Sequence, residues 1–192
     1  FISNKSSGKQ GYEIAKSLSE NGFDTTLISG PTNLNINKNI KLIKVETADE
    51  MLEATLNNLP TDVAVFSAAV ADFKIKNKKK EKIKKENITE LSLEKNIDIL
   101  NHISNHNSLR PKLVIGFAAE TNSLKTNSLK KLSEKNCDWI IANNITKKDI
   151  GFESDFNKIS IFYKNKTEEI FPKMKKSKLA SEIVNRIISQ LN

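Results

Sequence analysis

The chemistry of this chain gathers in one stretch. An apolar run, Val63-Ala64-Val65-Phe66, passes into Ser67-Ala68-Ala69-Val70-Ala71-Asp72-Phe73, and eight lysines follow within twelve residues, from Lys74 to Lys85. Alanines such as Ala68 and Ala69 let a flat ring approach the backbone, and Asp72 is a carboxylate that can hold a divalent cation. A dense cationic segment beside such a carboxylate suits a metal-bound polyphosphate. Taken alone, Asp72 is equally a helix cap preceding a solvated lysine run, and these residues do not choose. A second candidate lies near the start, where Ser6, Ser7, Gly8 and Gly11 precede a helical pattern. Serine and glycine at a helix start offer backbone N–H groups to an anion, with the helix dipole assisting. A plain serine N-cap is the competing reading.

Other patterns carry less. A phosphate-binding P-loop would need glycine where Ser3 stands and a hydroxyl residue where Gln10 stands. A dinucleotide fingerprint finds only Gly8 and Gly11, and the following strand closes on Ser29-Gly30 without an acid. Tyr12 and Lys16 have the spacing of a short-chain reductase pair, but they fall in the first helix beside the anion loop. His102 and His106 stand one helical turn apart with no third metal ligand in view. Cys137, the single cysteine, has no adjacent base and reads as a packed residue.

Hydrophobic spacing supplies the elements that must position these groups. A helix from Tyr12 carries Ile14, Ala15 and Leu18 and ends at Asn21-Gly22. Strands follow at 25–29 and 41–45, and Thr47 caps a helix bearing Met51, Leu52 and Leu56 that stops at Pro60. The run 63–66 is expected to be a central strand buried on both faces, with its ligands beyond its carboxyl end. Later come a short extended segment near Leu91 and Leu93, a helix over 97–103, and a strand Leu113-Val114-Ile115-Gly116-Phe117 ending in Ala118-Ala119-Glu120-Thr121. A helix over 122–135, a strand over 139–142, a hairpin (158–163 and 169–171) and an amphipathic helix over 176–191 complete the chain. Strands alternating with helices predict an α/β fold: a Rossmann-like, mostly parallel sheet flanked by helices, closed by a small C-terminal hairpin and helix.

Composition fits this. The 192 residues suit a single domain spanning 1–192, and 38% hydrophobic with 28% charged residues suits a soluble one. No apolar run approaches the ~18 residues that span a bilayer, so no membrane partner is expected. One cysteine agrees with a cytoplasmic location. A net charge of +8 admits a lysine-rich nucleic-acid-binding module, but only Arg110 and Arg186 are arginines and 6% of residues are aromatic, which argues against nucleic acid. A nicotinamide-dependent reductase is the other alternative.

Seven segments in order resemble phosphopantothenoylcysteine synthetase, usually the carboxyl-terminal half of a bifunctional coenzyme A biosynthesis protein in bacteria. They are Ile2-Ser3-Asn4 with Ser6-Ser7-Gly8-Lys9 and Gly11; Leu27-Ile28-Ser29-Gly30-Pro31-Thr32; Ala68-Ala69-Val70-Ala71-Asp72-Phe73; Lys82-Ile83-Lys84-Lys85; Gly116-Phe117-Ala118-Ala119-Glu120-Thr121; Ala142-Asn143; and Gly151-Phe152 with Ser154-Asp155. The resemblance implies ligation of 4'-phosphopantothenate to cysteine, driven by CTP with Mg²⁺ through an acyl-cytidylate, in a homodimer. It implies catalytic roles for Asn4 and Lys82, with Asn4 binding the activated acyl group and Lys82 neutralising phosphate charge. It also implies nucleotide binding by Ser6, Ser7, Gly8, Ala68, Ala69, Asp72, Lys82, Lys84, Lys85 and Phe117, with Asp72 on the metal. The family normally has a strand and a glycine-containing turn just before Ile2, and a flavin-dependent decarboxylase as fused half or partner. Neither is in this sequence, so the expectation is a domain lacking its first strand.

Overall fold

The computed structural model describes residues 6–77, 90–144 and 154–192. Asn4, Lys82, Lys84 and Lys85, with Gly151 and Phe152, lie outside these residues. Nine strands and five helices are described, in the order α1 (Lys9–Glu20), β1 (Thr26–Ser29), β2 (Lys41–Lys44), α2 (Ala48–Leu56), β3 (Val63–Phe66), β4 (Phe73–Ile75), β5 (Leu93–Lys95), α3 (Ile99–Ser104), β6 (Leu113–Glu120), α4 (Leu124–Lys135), β7 (Trp139–Asn144), β8 (Phe156–Tyr163), β9 (Glu168–Lys175) and α5 (Lys176–Leu191).

The main sheet has the order β3-β6-β7-β8-β9. Its first three strands are parallel and its last three antiparallel, and β1 and β2 form a separate parallel pair. The architecture is thus α/β, with parallel strands joined through helices and a closing hairpin. One expectation changes. Strand β3 is half-buried and lies at the edge of the main sheet among the described residues, instead of being enclosed on both faces.

Alternation along β6 sorts the core. Leu113 and Ile115 join Trp139 and Ile141 on one face, beneath Ile14 of α1 and Leu179, Ile183 and Ile187 of α5. Val114 and Ala118 join Ile140 and Phe162 on the other, beneath Leu132 of α4. This is the two-residue period of a strand expressed as two apolar layers. Residue 116 falls on the second face, where a Cβ would come 2.5 Å from Leu100 of α3, and a glycine stands there. A third cluster packs Leu52 of α2 against Ile99 and Ile103 of α3, with Phe66 of β3 at its margin.

Local chemistry sets the helix ends. Thr47 accepts a hydrogen bond from the Glu50 N–H at 3.2 Å while the Glu50 carboxylate accepts from the Thr47 N–H, a reciprocal capping box. Asp98 caps α3 by accepting from Asn101 N–H at 2.8 Å. Helix α1 ends at Asn21 followed by Gly22 at φ +85°, as its sequence predicts.

Candidate functional site

Helix α1 begins differently from the others. Gly8 takes the N-cap at φ +75°, a left-handed conformation that costs glycine least, so the capping residue itself has no side chain to offer. The first turn holds no acidic residue. Its leading N–H groups have no acceptor within the helix, and the dipole makes this end attractive to an anion. Ser6 and Ser7 lead directly into it.

The same end of α1 lies against the mouth of β3. A Cβ on Gly11 would come 2.6 Å from Ser67 Oγ, so the helix sits close enough to the strand mouth that any side chain here would displace that hydroxyl. Beyond Ser67, Ala68 and Ala69 are exposed. Phe66 pairs with Gly116, which sets Phe117 level with the chain as it leaves β3. Phe117 is half-buried on the α1 and α5 face of the sheet. The structure therefore brings Gly8, Gly11, Ser67 and Phe117 to the carboxyl end of the sheet, where open α/β folds bind ligands.

The loop after β1 closes the other side of Gly8, whose Cβ would meet Thr32 Cγ2 at 3.0 Å. Thr32 Oγ1 donates to Tyr12 Oη at 2.9 Å, Tyr12 Oη donates to Ser29 Oγ at 3.2 Å, and Ser29 Oγ donates to Gly30 O at 2.9 Å. Tyr12 is 7% exposed. Its hydroxyl ties helix to loop, which accounts for it without hydride chemistry.

A cationic corner completes this end of α1. Lys9 Nζ lies 2.6 Å from the Asp155 carboxylate, which it holds below the ordinary aspartate range. Gln10 Nε2 donates to Lys176 O at 3.4 Å and Lys176 N–H donates to Asp155 O at 2.9 Å. Lys176 is buried; burial first, then Lys9, lower its pKa, with Asp155 opposing. Two motif segments at opposite ends of the sequence thus meet at one helix start.

Asp72 is exposed and directly precedes β4, so the helix-cap reading of this residue is removed. Among the described residues its carboxylate has neither an ion pair nor a hydrogen bond. No group of three or more metal-ligating side chains occurs among the described residues. One free carboxylate suits Mg²⁺, which takes few protein ligands and completes its shell with substrate phosphates and water. Lys74, the first of the lysine series, is already committed, 2.8 Å from Asp49 on α2.

Sequence reasoning missed Ser67 and Asn96. The first had a signal, since it immediately follows an apolar strand. Asn96 had none: its side chain donates to Ala71 O at 2.7 Å and its N–H to Asp72 O at 2.8 Å, from a different element. Elsewhere, Glu120 is buried, and although burial raises its carboxyl pKa, hydrogen bonds from Lys131 and Asn127 more than offset that and leave it lowered. Cys137 is buried and its thiol pushed up to about 11 by burial, as a packed residue should be. His102 is exposed and His106 Nδ1 accepts from Leu109 N–H at 3.1 Å.

A mostly parallel α/β sheet whose first helix starts at the mouth of β3 defines a domain of the Rossmann-like class. The chain belongs to the family of the DNA/pantothenate metabolism flavoprotein C-terminal domain, which matches residues 1–191. It is 37% identical to the coenzyme A biosynthesis bifunctional protein CoaBC of Haemophilus influenzae over 99% of its own length and 47% of that relative's. It therefore spans about half of this curated relative. The crystal structure of the C-terminal domain of a CoaBC superposes with a TM-score of 0.78 at 33% identity, covering 97% of this chain and 84% of that one. A mutant of Cab2, solved as a complex with phosphopantothenate-cysteine, shares the fold at 14% identity with a TM-score of 0.71, over 99% of this chain and 79% of that one.

Proposed function

We propose that this domain joins 4'-phosphopantothenate to cysteine in coenzyme A biosynthesis, using CTP. The observation that carries the reading is the packing of Gly11 against Ser67, which sets the anion-attracting start of α1 beside the exposed alanines of the β3 mouth. Membership in a family whose relatives are coenzyme A biosynthesis proteins supplies the substrates.

In this reading the substrate carboxylate attacks the α-phosphate of CTP, forming the acyl-cytidylate and releasing pyrophosphate. The cysteine amine then attacks the acyl carbon, loses a proton and expels CMP. Ser6, Ser7, Gly8 and the N–H groups of α1 hold phosphate oxygens, while Ala68, Ala69 and Phe117 enclose the base. Asp72 would hold Mg²⁺, which when bound supplies positive charge against the phosphates. Lys82, assisted by Lys84 and Lys85, neutralises charge growing on the departing pyrophosphate, and the Asn4 amide orients the acyl group for the second step.

The assembly belongs to the same proposal. Phe73 is 46%, Leu91 61% and Leu93 49% exposed around β4 and β5, a surface that suits a second copy of this chain. The β1–β2 pair and the main sheet are hydrogen-bonded separately, which fits a single domain whose sheet takes a further strand between them. A flavin-dependent decarboxylase is the expected partner, as the bifunctional relatives suggest.

Pyrophosphate release across a nucleotide panel, with and without phosphopantothenate and cysteine, tests the reading. Release with CTP only when phosphopantothenate is present, and CMP formation completed by cysteine, is the expected result. Release independent of phosphopantothenate, or none with any nucleotide, would overturn it.

A further inference from the structure

The turn that carries Asp72 is fixed from outside itself. It leaves β3 and enters β4, which among the described residues pairs only with β5, three residues against three. Two-stranded ribbons of this size are marginal in water. Asn96 closes the ribbon twice, by its N–H to Asp72 O at 2.8 Å and by Nδ2 to Ala71 O at 2.7 Å. Two residues on, Asp98 caps α3, whose Ile99 and Ile103 are buried against Leu52. Asn96 is thus the link between an exposed turn and a helix seated in the core.

The amide is oriented at a cost. Asn96 Oδ1 is buried and accepts no hydrogen bond among the described residues, although a buried acceptor left unmade is unfavourable. An aspartate would present a second acceptor to the Ala71 carbonyl, and an alanine would leave that carbonyl without its donor. The Asn96 amide supplies the bond that the turn uses.

We propose that Asn96 is a positioning residue for Asp72: by pinning Ala71 and Asp72 to the start of α3, it sets where the carboxylate meets the metal-bound nucleotide. The proposal rests on the metal role assigned to Asp72 above. Misplacing a reacting group by an ångström can cost about a hundredfold, so a loosened turn should register in the metal dependence.

The test uses the full chain with Asn96→Asp, which keeps side-chain size, and Asn96→Ala. Asn58→Ala serves as control, because Asn58 Nδ2 makes the same kind of bond, to Ala54 O at 2.7 Å, away from the site. The Mg²⁺ concentration for half-maximal pyrophosphate release should rise about tenfold or more in both Asn96 variants and stay unchanged in the control, whatever melting temperature each loses. Hydrogen exchange without any ligand should show the amides of Ala68 to Phe73 opening about tenfold faster in the Asn96 variants, while β6 and β7 keep their protection. An unchanged Mg²⁺ requirement, or an equal rise in the control, overturns the proposal. If the parent chain shows no Mg²⁺-dependent release, the assigned function fails instead, and the exchange measurement alone decides whether Asn96 pins the turn.

Discussion

Asp72 owes its candidacy to what it does not touch. A surface aspartate among so many lysines commonly finds a partner, as Asp49 does with Lys74 and Asp155 with Lys9, yet the Asp72 carboxylate has none among the described residues. Asp72→Asn should therefore leave the melting temperature within about a degree or two, since exposed substitutions away from packing cost less than ~0.5 kcal/mol, while Mg²⁺-dependent pyrophosphate release disappears. Full activity in the folded variant would contradict the metal role. Lys82 lies outside the described residues, and its role rests on family resemblance. If it neutralises phosphate charge, Lys82→Gln should lower the rate about a hundred- to a thousandfold, the effect of losing ~2.7–4 kcal/mol of transition-state stabilisation, and Lys78→Gln should not. Pyrophosphate release for the two variants side by side checks this, and rates within about threefold of each other would return the segment to a solvated lysine run.

The closing hairpin and α5 act as one element, joined by charge as well as by apolar packing. Arg186 of α5 makes a 2.7 Å ion pair with Glu169 of β9, Tyr163 Oη donates to the same carboxylate at 2.7 Å, and the Arg186 guanidinium lies 5.0 Å from the centre of the Phe171 ring. Arg186 holds the Glu169 carboxyl below its ordinary value of 4.5, with burial opposing and Tyr163 assisting. The folded chain then binds this proton less readily than the unfolded chain, so stability from Glu169 is full above pH 4.5 and falls away as the pH drops below it. Glu169→Gln should flatten the acid limb of a melting-temperature profile between about pH 5 and 2 and leave its slope near neutrality unchanged. Solvent screening keeps the contribution near or below ~1 kcal/mol, because both side chains are about a third exposed. An identical acid limb in the variant would exclude the pair as a source of pH dependence.

At the scale of the molecule, the apolar surface around β4 and β5 contrasts with the buried faces of the main sheet. Phe73 stands opposite Lys95 and Leu93 opposite Ile75 in a ribbon of two strands among the described residues, which cannot bury them itself. If a second copy covers them, Leu93→Glu should convert a dimer to a monomer in size-exclusion chromatography with light scattering, at an unchanged far-ultraviolet circular dichroism spectrum. A variant that elutes with the mass of the parent would remove this face from the interface. No helix among the described residues is long and apolar enough to cross a membrane.

Local chemistry by itself determined much of this protein. The apolar strand at 113–117, the Thr47 to Glu50 capping box, the Asn21-Gly22 helix end and the 16-residue amphipathic α5 all appear in the structure as their residues require. Each depends on neighbours within a turn or a strand pair. The motif segments also placed Gly8, Ala68 and Asp72 at or just beyond element ends, while Phe117 falls inside β6. The rest was decided by the tertiary structure, because it depends on residues brought together from distant parts of the chain. Among the described residues β3 stands at one side of the main sheet and β1 pairs with β2 apart from it, an order that no apolar run could announce. Gly11 matters through Ser67, Lys9 through Asp155, and the Asp72 turn through Asn96; in each case the second residue lies in a connection many positions further along the chain, so spacing carries no trace of the contact.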